Sequence, residues 1–139
     1  MASNKSSIDI KTISKFFFGL ASAVGINYET LGASQGAVMF VQDKSKDYLD
    51  SGKTIEDFIE LLNTGVKSLK NSEELRNKAR LYVIEIMLSV SKESNSLEDF
   101  VNFIDTLSDT MRMIRIKYYE AVLKKPDLSF NEFAKKLFR

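Results

Sequence analysis

Residues 96–126, SLEDFVNFIDTLSDTMRMIRIKYYEAVLKKP, carry the clearest pattern in the chain. Leu97, Phe100, Val101, Ile104, Leu107, Met111, Ile114 and Tyr118 recur at the spacing that lines up side chains on one face of an α-helix. Ser96 and Asp99 form a capping signal at the start. Pro126, the only proline, closes the segment because the residue before a proline is pushed out of helical geometry. Glu98, Asp99, Asp105 and Asp109 fill the first half, and Arg112, Arg115, Lys117 and Lys124 the second, which complements the helix dipole. The pattern predicts one long helix over 97–124.

The same period extends upstream. Ser7 can cap a first helix bearing Ile10, Ile13, Phe17, Leu20, Ala21 and Val24, with Gly25 as its stop. Asn27 can cap a second over 28–50, which Gly52 ends. That helix holds Gly32 and Gly36 one turn apart beside Ala33 and Ala37. Glycine inside a helix costs about 1 kcal/mol relative to alanine, so two of them need a reason. Close approach of another helix is the expected one, and a helix break with 38–41 extended is the alternative. Thr54 and Asp57 open a third helix along Ile55, Phe58, Ile59, Leu62, Val66 and Leu69. Asn71 and Glu74 signal a fourth, apolar on two faces through Val83, Ile86, Ile84 and Leu88, and therefore central. Ser129 and Glu132 form a Ser-x-x-Glu capping box for a short last helix with Phe130, Phe133, Leu137 and Phe138. The expected fold is all-α: a flexible N-terminus over 1–7, then a single domain over 8–139 of five to six mostly antiparallel helices joined by short connections.

Composition removes whole classes of chemistry. The 139 residues contain no His and no Cys. There is no imidazole base, no thiol nucleophile, no disulfide and no His- or Cys-bearing metal site. Zero Cys accords with a cytoplasmic protein. Lys11 and Lys15 before Phe16-Phe17-Phe18 imitate a signal peptide, but Asp9 interrupts the basic region and the Ala-x-Ala triplet lies inside the apolar run. No window has the ~18 apolar residues of a membrane span, so no membrane partner is expected. The net charge is +1, yet residues 110–139 hold eight basic residues against three acidic ones.

Four features bear on function. Asp105 with Asp109, and Glu56 with Glu60, are acid pairs one turn apart; they read as solvated helix faces rather than a catalytic or Mg²⁺ site, and no catalytic residue, metal or cofactor is expected. Gly32-Ala-Ser-Gln-Gly36 lacks the Lys-Ser/Thr of a phosphate loop. Arg112, Arg115 and Tyr119 share a helix face with Lys117 close by, and Arg76 and Arg80 form an i, i+4 pair. Guanidinium groups can bind successive phosphates and tyrosine can stack on a base, so these six are the nucleic-acid candidates; the alternative is a helix end charged to suit its dipole. Finally, Phe16-Phe17-Phe18, Met113, Ile116 and the terminal Leu137-Phe138 supply more apolar directions than one core uses, which suits self-association or a protein partner.

Leu31-Gly-Ala-Ser-Gln-Gly-Ala-Val-Met-Phe40-Val-Gln-Asp-Lys44 is similar to a stretch in the small helical subunits of type III CRISPR effector complexes. Leu97-Glu-Asp-Phe100-Val-Asn-Phe103-Ile-Asp-Thr-Leu107, leading to Tyr118-Tyr119, resembles their final core helix. Together these cover about 40 of the 139 residues. The resemblance implies a non-enzymatic antiviral-defence subunit that stacks in an oligomeric complex and touches guide–target RNA without reading sequence. It supplies no matched motif for the contact residues, which come from helix geometry alone. The competing expectation is a structural or protein-interaction bundle, viral or from a mobile element, with no nucleic-acid role.

Overall fold

Capping chemistry decides where the helices begin. In a computed structural model, which describes residues 10–137 apart from the side chains of residues 10–13 and of Tyr28, six helices follow in order. They are α1 (Ile10–Val24), α2 (Tyr28–Asp50), α3 (Ile55–Leu69), α4 (Leu75–Glu93), α5 (Leu97–Lys124) and α6 (Phe130–Leu137). The fold is all-α, with no strand among the described residues. The 1–7 tail, the Ser7 cap, Phe138 and Arg139 lie outside the described residues.

At α2 the Asn27 side chain accepts from Thr30 N at 2.9 Å, and Thr30 Oγ1 accepts from Asn27 N at 3.0 Å. Thr54 and Asp57 make the same reciprocal box at α3, and Ser129 and Glu132 at α6. Backbone N–H donation to the Asp57 and Glu132 carboxylates holds both below their ordinary pKa values. Ser96 caps α5 by accepting from Asp99 N. Gly25 and Gly52 follow α1 and α2 at φ +79° and +75°, the left-handed region that stops a helix.

Asn71 does not cap α4. The turn that closes α3 still holds it, with Ser72 N bonded to Leu69 O at 3.1 Å. The helix starts at Leu75, its N-cap is Glu74 without a side-chain bond, and Ser72 Oγ accepts from Glu74 N and Asn77 Nδ2 instead.

The predicted stripe of α5 is buried throughout, from Leu97 to Tyr118, together with Phe103 and Ser108. Each fully buried large side chain contributes about 1.5–3 kcal/mol against exposure. Two aromatic clusters mark the ends of this core. Phe58 and Phe100 have ring centroids 5.1 Å apart at one end, and Phe130 lies 5.3 Å from Tyr118 and 5.8 Å from Phe17 at the other. Phe16 and Phe17 are buried and Phe18 packs against the core, so the Phe run is absorbed within the chain and offers no association surface.

Helix α4 is central as expected, packing on α1, α2 and α3 and touching α5. Helix α2 antiparallels α5, since Gln35 meets Arg115 while Gln42 meets Asp105. Its contact with α4 runs in the parallel sense, with Glu29 at Arg76 and Ala33 clustered with Ala79. Parallelism follows from α3, which returns the chain between them. Helix α2 is therefore flanked by α4 on one side and α5 on the other.

Candidate nucleic-acid interface

Every contact of the candidate arginines runs to a close neighbour. On α4, Arg76 Nε donates to Glu29 Oε2 of α2 at 2.8 Å. One turn on, Arg80 Nη1 donates to Asn77 Oδ1 at 2.6 Å. Arg76 and Arg80 line a shallow cleft with Glu29, Gly32 and Ala33. On α5, Arg115 Nη1 donates to Gln35 Oε1 of α2, its Nε to the Tyr119 hydroxyl at 3.3 Å, and its guanidinium lies 5.3 Å from the Tyr119 ring centroid. Each arginine thus spends one or two of its five N–H donors on being held and keeps the rest. The Arg76–Glu29 pair is about half exposed, where such pairs contribute about 0–1 kcal/mol; it orients the side chain more than it stabilises the fold.

Helix α2 brings the two groups together. Gln35 and Gly36 lie three and four residues after Gly32 along α2, with Gly36 exposed, Gly32 half-buried and Gln35 buried. Gly32 meets the α4 arginines and Gln35 meets Arg115, so a floor of small residues lies between two arginine-bearing edges. The expected reason for Gly32 and Gly36 fails here. A Cβ built on either would meet nothing within 4 Å, and α2 is unbroken, so neither close helix packing nor a helix break explains them. The glycine under close approach is Gly19, where a Cβ would overlap the Tyr82 hydroxyl of α4. That hydroxyl donates to Phe16 O at 3.1 Å.

The remaining candidates separate. Arg112 sits at the rim, 57% exposed and 3.9 Å from Asp109. Lys117 follows Arg115 by two residues, which puts it about 160° away around the helix and off this edge. Tyr119 is half-buried and engaged by Arg115, so it positions the guanidinium rather than offering an open stacking face. Among the acid pairs, Asp105 accepts from Gln42 at 2.7 Å and lies 3.2 Å from Lys46, a tie between α2 and α5. Among the described residues no group of three or more Asp or Glu is placed to hold a metal, and no helix is long and apolar enough to cross a membrane.

Sequence reasoning located the arginines but missed Glu29, Gln35 and the open floor. Gln35 had one signal, a lone amide in a run of small residues; that α2 lies between α4 and α5 had none. No protein family, characterised protein or solved structure matches this chain.

Proposed function

We propose that the chain is a non-enzymatic helical subunit that binds RNA through its backbone, without sequence preference. The observation that carries this reading is the open space over Gly32 and Gly36 of α2, with Arg76 and Arg80 on one edge and Arg115 on the other. Fixed guanidinium groups with donors to spare suit phosphate oxygens, and glycines let a ligand backbone come close to a helix. The lack of His and Cys, and the use of Asp105 as a structural acceptor, leave little for acid–base catalysis. The reading extends to membership of a larger cytoplasmic defence assembly, which is what the resemblance of residues 31–44 and 97–107 to type III CRISPR small subunits implies.

The test is RNA binding by fluorescence anisotropy over a salt series. Loss of Arg80 and Arg115 together removes two phosphate contacts and lowers the salt slope of log K by about 1.4–1.8, equally for unrelated sequences. A slope unchanged by that pair overturns the reading. A protein-interaction bundle is the second reading, favoured by the exposure of Met113, Ile116 and Leu123, and it uses a different face.

A further inference from the structure

The cleft between α2 and α4 holds a carboxylate among groups suited to phosphate. Glu29 lines it together with Gly32, Ala33, Arg76 and Arg80. The Glu29 side chain is 47% exposed, and Arg76 Nε engages its Oε2 at 2.8 Å. An ionised carboxylate accepts at about four positions, so Glu29 keeps most of its acceptor capacity. Gly32 follows three residues later on the same helix side, and nothing stands within 4 Å of where its Cβ would be. A ligand lying on Gly32 therefore meets the Glu29 carboxylate beside two guanidinium groups.

Toward a ligand that offers only phosphates, this carboxylate is unfavourable, since it repels the charge that the arginines attract. A hydrogen-bond donor on the ligand reverses the sign. In a ribose strand the 2′-hydroxyl and the 3′-phosphate stand on neighbouring sugar carbons, so one sugar presents a donor and an anion side by side. That pair matches a carboxylate next to a guanidinium. Deoxyribose presents the anion alone. We propose, resting on the reading of this groove as a nucleic-acid backbone surface, that Glu29 accepts from a ribose 2′-hydroxyl while Arg80 holds the adjacent phosphate, so that the cleft selects RNA against DNA. Arg80 has donors for this, because its contact with Asn77 uses only Nη1. Arg115, on the far edge of α2, is held by the uncharged Gln35 and Tyr119, so the discrimination belongs to the α4 side.

Fluorescence anisotropy of the full chain at low ionic strength, with RNA, DNA and 2′-fluoro RNA single strands of the same mixed sequence, tests it. The 2′-fluoro strand keeps a ribose-like sugar shape but cannot donate. RNA is expected to bind about tenfold more tightly than either of the others, the effect of one hydrogen bond to a charged group. Glu29→Ala brings the strands near parity, chiefly by strengthening DNA and 2′-fluoro RNA, which no longer meet the charge. Release of Arg76 in that variant shifts every strand alike, so the ratio still reports the hydroxyl contact, and the helical circular dichroism spectrum is unchanged. Equal wild-type affinity for RNA and DNA, with a salt slope that Arg80→Ala and Arg115→Ala together still lower, overturns the ribose selection and leaves backbone binding standing. A preference that survives Glu29→Ala, or 2′-fluoro RNA as tight as RNA, overturns it too. Failure of the wild type to bind any strand overturns both.

Discussion

Glycines on two of the described helices, α1 and α2, solve opposite problems. On α1, Gly19 lies under Tyr82, and its missing Cβ is the space the phenol occupies. On α2, Gly32 and Gly36 face open space, and no neighbour accounts for their small size. The first glycine serves packing, since it lets α1 and α4 approach while Tyr82 bonds to Phe16 O. The second pair forgoes helix propensity without a packing return. This surface, between fixed arginines, is the one proposed above to bind RNA.

The largest expected effect breaks the closed side. Gly19→Ala should destabilise the fold by about 1–3 kcal/mol through overpacking against Tyr82, read by urea denaturation. A neutral result would mean the contact is loose. Tyr82→Phe alone should cost about 1 kcal/mol for the lost hydrogen bond, and it should blunt the penalty of Gly19→Ala, because the overlapping atom is gone. Additive effects in that double-mutant cycle would separate the two residues.

The open side should behave in the reverse sense. Gly36→Ala should stabilise by about 1 kcal/mol through helix propensity alone. Gly36→Leu should keep most of that gain and raise the groove floor, so that RNA affinity falls while thermal stability does not. Loss of stability in either variant would reveal a neighbour at this surface. The smallest effect is alkaline. Burial raises the Tyr82 pKa above its ordinary value of 10.0. The folded form therefore holds that proton more tightly, and its contribution is complete below about pH 10 and declines as pH rises toward the folded value. Denaturation midpoints across that range should fall more for the wild type than for Tyr82→Phe, and equal slopes would remove Tyr82 from the alkaline response.

Much of the fold was legible from local rules. Asn27, Thr54, Ser96 and Ser129 stand at helix starts because capping depends on residues within one turn. The α5 stripe was readable because a buried face repeats with the helix period. Asn71 misled because the same residue type also suits the end of the preceding helix. Gly32 and Gly36 were assigned the role that Gly19 holds, since sequence shows a small residue but not what stands opposite it. The arginines were found as two separate pairs. Their relation required knowing that α2 runs parallel to α4 and antiparallel to α5, a consequence of the whole chain's path. Tyr119 reads as a stacking platform in the sequence, although Arg115, one turn before it on the same face, is placed by the helix period to cover it.

The groove is tested most directly by RNA affinity against salt for the wild-type chain and for Arg80→Ala combined with Arg115→Ala. These residues lie on opposite edges of α2, so only a ligand spanning the glycine floor loses both contacts. The expected result is sequence-indifferent binding whose salt slope falls by about 1.4–1.8 in the double variant, with each single variant losing about half. Equal slopes for wild type and double variant, or no RNA binding by the wild type at low ionic strength, would contradict the assignment.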